Sequence, residues 1–367
     1  MEGKVRVFEM NTFTNKDNFI DSKPKFYSAD KKIKEEITDS ISYFLNDFDL
    51  EYANIIGNPN NINENCNSLN IVLGLFNGKV YLLKKMLNKN IQAQSIKQIT
   101  KLMNWCRSSG ITIPKLYPTK NGEYFIINQD NFWILMEYVD GMFFSGKYNQ
   151  LNETALASGK LLRSLSNLPK ELRPLTVKEP YFTAHENETF IKLKEVQPEW
   201  EKIFGKNFSY RLSSNWDYLA DQWKFINSHS FISDKYNSVI HHDLHPHNFI
   251  FSENKTYIID YESIVIGAPH SAIGFAIIKL IKHICDTSSK NTANNDILCL
   301  YHEWISKVRD NFQFLDNKNE IEIFGRAEVF RRFLSMSNKA ILNIPSSFNG
   351  PEVHIDSLFI ADRIFKK

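Results

Sequence analysis

The four cysteines of this chain, Cys66, Cys106, Cys285 and Cys299, are far apart in sequence and form no C-x-x-C pair. That excludes a dithiol motif and suits buried, free, structural thiols in a reducing compartment. A surplus of one charge is also lacking. Forty-four Lys and Arg against 42 Asp and Glu leave +2 at neutral pH, so neither a nucleic-acid-binding field nor an acidic solvating tail is encoded, and small ligands are the expected partners. Met1 to Asn15 mixes Glu2, Lys4, Arg6 and Glu9 and holds no apolar core of secretory length, which makes the cytoplasm the expected compartment. The most apolar long segment, Ile273 to Ile284, is broken by Lys279 and Lys282 and is too short to span a bilayer; it reads as a core helix, with no membrane association expected. No internal repeat is present.

What is there is ample. With 367 residues, 43% of them hydrophobic and 23% charged, the chain can bury a full core and divides naturally into two lobes. Lys31 to Phe48 places Ile33, Ile37, Ile41, Phe44 and Leu45 at helical spacing, predicting an amphipathic helix ahead of the first sheet. Tyr52 to Ile56 and Ile71 to Phe76 read as strands around an Asn-rich loop, Asn58 to Asn70. Asn77-Gly78 then turns the chain into a further strand, Lys79 to Met86. Ile96, Ile99, Leu102, Met103 and Cys106 share one face of a helix over Ile91 to Ser109, which Gly110 stops. Two more strands, Tyr124 to Asn128 and Phe132 to Tyr138, precede a boundary near Val139. Helical periodicity dominates beyond it, apart from short strands at Ser238 to Ile240, Phe249 to Phe251 and Tyr257 to Ile259.

Those short strands bracket His241-His242-Asp243-Leu244-His245-Pro246-His247-Asn248 and lead into Asp260-Tyr261-Glu262. Phosphoryl transfer from a nucleotide requires positioning, a metal ion that neutralises phosphate charge, and a carboxylate beside the attacking hydroxyl. Asp243 is the candidate to accept or orient the hydroxyl proton. Asn248, five residues on, offers a neutral oxygen to magnesium, and Asp260 offers a charged one.

At these residues the chain resembles the aminoglycoside phosphotransferase and choline kinase superfamily, whose catalytic loop is similar to H-G-D-L-H-P-G-N and whose later motif is similar to I-D-W/F/Y-E. His241, Asp243, Leu244, His245, Pro246 and Asn248 match in place, while His242 and His247 replace the two glycines. The resemblance implies a bracing role for His241. It also implies a phosphate-covering turn at Ser68-Leu69-Asn70-Ile71-Val72, with Ser68 near the phosphates and Val72 roofing the base. Tyr81-Leu82-Leu83-Lys84 looks like the family's lysine strand. Alternation puts Leu82 and Lys84 on one face, against adenine and phosphate, with Lys85 pointing away. Leu135 to Gly141 looks like the linker between lobes, with Met136 as gatekeeper and backbone groups of Glu137, Tyr138 and Val139 on the adenine edge. Gly159 to Leu165 is similar to the helix that follows, so the likeness covers most of residues 52 to 285.

The chain also departs from the pattern. Ile91 to Ser109 contains no acid to pair with Lys84, only Gln92, Gln94 and Gln98, and Gly267 to Gly274 keeps glycine and proline but loses two acids. Glu262 is a candidate outer-shell or second metal ligand in partial compensation. Four histidines in seven residues invite a zinc reading, against which stand their places in a phosphotransfer loop and the absence of a cysteine motif. Tyr181, Trp216, Tyr218 and Trp223 are the only candidates for a cage around a choline-like cation. Arg326, Arg331 and Arg332 read as a solvated helix face.

The expected fold is α+β and two-lobed, protein-kinase-like, with an antiparallel N-lobe sheet plus helix and a mostly helical C-lobe. The expected division is an extension over 1–50, a nucleotide-binding lobe over 51–139, and a C-lobe over 140–367 with the catalytic loop and acceptor pocket. The expected activity is ATP- or GTP-dependent, Mg2+-dependent phosphorylation of a small-molecule hydroxyl on an amino sugar, aminoglycoside, sugar or amino alcohol. The alternative is a degenerate kinase fold that binds nucleotide or protein without turnover. Interleaved acids and bases at Lys192 to Glu201 weigh against a polycationic acceptor.

Overall fold

The computed structural model describes residues 25–46, 48–56, 68–87, 92–174, 184–229, 238–253, 255–288, 294–313, 317–344 and 351–365. Cys66, Tyr181 and most of the Asn-rich loop fall outside them.

The chain opens with strand β1 (Phe26–Ser28) and helix α1 (Lys31–Ile41), started by the Asp30 carboxylate accepting from the Ile33 amide at 2.8 Å. Strands β2 (Leu50–Ile56), β3 (Ser68–Leu75) and β4 (Val80–Met86) follow. Helix α2 (Ala93–Ser108) then leads to β5 (Ile126–Asn128) and β6 (Asn131–Glu137). These strands form a six-stranded sheet in the order β1-β2-β3-β4-β6-β5, antiparallel at every pairing. The Asn77-Gly78 turn closes where the sequence places it, with Gly78 at φ +79°.

Residues 26–41 pack onto the sheet. β1 pairs with β2, and Ile37 and Ile41 of α1 pack with Ile71, Leu73, Leu83 and Leu135 on one face of the sheet. An apolar stripe and an unpartnered sheet face bury one another, which sequence periodicity cannot reveal because it names no partner. Helix α2 belongs to the other side, where Ile96, Leu102 and Met103 join Ile134 and Met136 in the larger core.

Beyond β7 (Met142–Phe143) the structure is mainly helical: α3 (Tyr148–Ser166), α4 (Ala184–Glu195), α5 (Trp200–Phe204), α6 (Lys206–Ser214) and α7 (Trp216–Asn227). The strands β8 (Ser238–His241), β9 (Phe249–Ser252), β10 (Lys255–Ile258) and β11 (Ile264–Gly267) interrupt it. Then come α8 (Pro269–Thr287), α9 (Asn294–Asn311), α10 (Lys318–Ile341) and α11 (Glu352–Phe365). β10 and β9 form a hairpin that β7 extends, and β8 pairs with β11, so the loop over residues 242–248 hangs between two small antiparallel ladders.

Helix α8 is the core helix foreseen for Ile273 to Ile284. It crosses α10 where Gly274 meets Gly325: a Cβ added to Gly274 would lie 2.4 Å from the Ile321 carbonyl oxygen and 2.8 Å from the Gly325 Cα. That close crossing sets how near α10 stands to that loop. No helix among the described residues is long and apolar enough to cross a membrane. Cys106 is buried and free; Cys285 is half-buried, and Cys299 is exposed rather than buried.

Candidate active site

The sheet's second face turns toward the C-lobe, where Lys84 meets Asp260. Cross-strand partners point to the same side, and Val72 pairs with Leu82, which pairs with Met136. One row along, Asn70 pairs with Lys84, which pairs with Ile134. Val72, Leu82, Met136 and Lys84 therefore share the face opposite α1. Lys85 lies on the α1 side, ion-paired with Glu36 and with its Nζ 5.0 Å from the Trp133 ring centroid. Ser68 opens β3 opposite Met86, so Ser68 to Val72 is strand throughout and does not form the covering turn expected there. Of the linker residues, the Glu137 N–H donates to the Lys115 carbonyl at 2.8 Å and is not open to a base edge. Tyr138 and Val139 come directly after the last residue of β6.

The loop over residues 242–248 is built around one buried imidazole. His241 Nε2 donates to the Ile259 carbonyl at 3.0 Å, and its Nδ1 accepts from the Asp243 amide at 3.3 Å, so a single ring joins Asp243 to the residue before Asp260. Burial keeps this histidine below its usual pKa and neutral. Asn248 adds a second brace. Its side-chain nitrogen donates to the Asp243 carbonyl at 2.7 Å, and its own carbonyl accepts from the Ile259 amide at 3.1 Å. Because a carbonyl can only accept, the NH2 must face Asp243, and Oδ1 is left as the oxygen a cation could take.

The two histidines in glycine positions are accommodated. His242 donates from Nδ1 to the Ser263 carbonyl at 2.6 Å, and His247 sets its ring edge-on to Phe143 at 5.5 Å. Among the described residues, no three His, Cys, Asp or Glu side chains converge as a metal-binding group.

Asp260 stands at φ +68°, ψ +52°, a left-handed conformation that aspartate tolerates better than most residues and that structures retain mainly at functional sites. From there it reaches Lys84 at 3.1 Å, and Glu262, beside it, reaches the same ammonium. Lys84 is buried, which opposes its charge, but Glu262 and Asp260 outweigh burial and raise its pKa above the ordinary value. Lys84 in turn holds Asp260 well below the carboxylate range, while burial pushes Glu262 up. The acid that α2 lacks is thus supplied by Glu262.

Arg332, read from sequence as part of a solvated face, reaches into this site. Its Nη1 lies 2.8 Å from Asp243 Oδ1, its Nε donates to Glu328 at 2.8 Å, and its guanidinium stands 4.1 Å from the Phe275 ring centroid. His245 Nε2 is 3.7 Å from Asp243 Oδ2. Burial works to raise the Asp243 pKa, yet Arg332 and the neighbouring histidines draw it down to about 2. Only the spacing of Arg332 from Glu328, one helical turn, hinted at a fixed arginine; nothing local pointed it at Asp243.

The aromatic cage does not form among the described residues. Trp216 and Trp223 stack on Phe190 with ring centroids 5.2 and 4.5 Å away, and Tyr218 stacks on Phe359 at 4.7 Å. They fill core space because flat rings bury most area against one another.

The model of the phosphotransferase enzyme family matches residues 71–290, a span that includes the Lys84 strand, the catalytic loop and Asp260. The chain belongs to this family. It is a small-molecule kinase, with the two-lobed fold expected. Solved phosphotransferases share that fold at low identity. A spectinomycin phosphotransferase in complex with ADP and spectinomycin has a TM-score of 0.59 at 15% identity, over 92% of this chain and 94% of that one. An amicoumacin kinase in complex with AMP-PNP and Ca2+ gives 0.56 at 12%, over 91% and 96%. A choline kinase from Streptococcus pneumoniae gives 0.54 at 15%, over 90% and 99%. No curated protein matches the sequence.

Proposed function

We propose that this phosphotransferase moves the γ-phosphate of ATP, or GTP, to a hydroxyl of a small molecule. The observation that carries the reading is that one buried histidine, His241, ties the Asp243 amide to the Ile259 carbonyl, which fixes the loop of Asp243 and Asn248 to the segment whose Asp260 meets Lys84. An incoming hydroxyl would donate to the Asp243 carboxylate, which Arg332 holds ionised from 2.8 Å.

Val72, Leu82 and Met136 would enclose the base, Tyr138 and Val139 would offer backbone groups to its edge, and Lys84 would steady the phosphates. Asn248 Oδ1 and Asp260 form a hard-oxygen pair suited to magnesium, with Glu262 beside them, and the side chain of Asp260 is 40% exposed and open to a cation. Bound there, the ion would neutralise phosphate charge as it builds. The hydroxyl oxygen forms the new bond to the γ-phosphorus while the bond to the bridging oxygen breaks and ADP leaves; the hydroxyl proton passes to solvent. With its pKa near 2, Asp243 orients that hydroxyl more than it removes the proton.

The test is magnesium-dependent AMP-PNP binding by calorimetry, followed by ADP release with a panel of hydroxyl compounds. Asp260→Asn should lose the binding, and Asp243→Ala should keep it but lose the transfer. Nucleotide binding with no transfer to any acceptor would instead identify a binding module.

A further inference from the structure

The acceptor side of Asp243 is built from cations. Phe275, Lys279 and His283 recur every four residues along α8, so one helix face runs past the catalytic loop. At one end of that face, Arg332 stands over Phe275 and beside Asp243. At the other, the His283 ring lies 6.4 Å from His247, which lies 5.7 Å from His245, which touches Asp243 in turn.

Lys279 sits between these ends, half-buried. Its Nζ has Ser357 Oγ of α11 at 3.4 Å, and it makes no ion pair among the described residues. Burial first, then Lys282 and Arg332, outweigh Asp243 and Asp286 and draw its pKa down to about 7. An ammonium so placed lacks a counter-anion.

The acids on this side are already engaged. Asp286 pairs with Lys282, and Glu328 with Arg331 and Arg332. A cationic acceptor would meet ammonium and guanidinium groups, and the stacked Trp216 and Trp223 give it no cage. Arg332, by contrast, has a donor to offer. Of its five N–H bonds, Nε serves Glu328, one on Nη2 serves the His242 carbonyl at 3.3 Å, and Nη1 faces Asp243 at 2.8 Å, which leaves the second N–H of Nη2.

We infer that the acceptor carries an anionic group, a carboxylate or a phosphate, which Lys279 and Arg332 hold while its hydroxyl meets Asp243. The inference rests on the cleft being that of a kinase. The anionic group takes no part in bond making; it fixes the distance from charge to hydroxyl, and so selects which hydroxyl reaches Asp243.

Inorganic phosphate and tetramethylammonium are the probes, titrated by calorimetry into the full chain preloaded with magnesium and AMP-PNP. Phosphate should bind, about ten-fold more weakly to Lys279→Gln, with affinity regained in Lys279→Arg. AMP-PNP binding by each variant reports that it is folded. Phosphate affinity indifferent to Lys279, or saturable binding of tetramethylammonium instead, would overturn the anionic acceptor while leaving the kinase reading standing. Failure of the wild-type chain to take up AMP-PNP would remove both.

Discussion

Glu262 and Lys84 are joined by an ion pair across the cleft, and Asp260, two residues before Glu262, shares the same ammonium. One short segment therefore carries both the proposed metal ligand and the partner that holds the lysine in place.

Removing Glu262 should accordingly act on Lys84. We expect Glu262→Gln to raise the KM for ATP and lower kcat, and Glu262→Ala to destabilise the protein by roughly 2 kcal/mol, toward the low end for a broken buried pair because the glutamate side chain is 24% exposed. Lys84→Met combined with Glu262→Gln should cost less than the sum of the two, as a double-mutant cycle in urea would show.

Asp243→Asn keeps the shape of the loop and removes the charge that faces Arg332 and His245. Transfer should fall by about 10²- to 10⁴-fold with nucleotide affinity little changed, measured as ADP release and by calorimetry.

Lys279 gives a pH signature. Its folded pKa, about 7, lies below the ordinary lysine value of 10.5. Between these values the unfolded chain holds the extra proton, so this residue makes stability rise with pH across that window, and its full penalty is felt below about pH 7. Lys279→Met should therefore stabilise the protein relative to wild type in mildly acidic buffer and converge with it above the window. Thermal melts across that range would show the difference closing; a constant difference would contradict the assignment.

The crossing of α8 and α10 is equally testable. Gly274→Ala places a methyl group against the Ile321 carbonyl and the Gly325 backbone, so the helices must separate. A loss of about 1–3 kcal/mol in chemical denaturation is expected. Because Arg332 rides on α10, acceptor KM should rise more than the KM for nucleotide.

Much of this was legible before any coordinates. The alternation in Tyr81-Leu82-Leu83-Lys84 placed Leu82 and Lys84 together, and the ladder from Val72 through Leu82 to Met136 follows from strand pairing once the Asn77-Gly78 turn is read. The partner of Lys84, the packing of α1 on the sheet, and the approach of Arg332 to Asp243 were not legible. The same local pattern serves a solvated helix face and a buried one. Arg331 and Arg332 are neighbours in sequence, yet only Arg332 lies within ion-pair distance of Asp243.

By itself the sequence determined the local chemistry: a loop holding Asp243 and Asn248 five residues apart, a strand end holding Asp260, and a lysine on the matching sheet face. Spacing along a chain dictates such arrangements because strand and turn geometry repeat over a few residues. Tertiary structure alone decided which charges meet. Arg332 on α10 meets Asp243 in the loop after β8, and a contact between segments so distant in the chain leaves no period in the sequence to read.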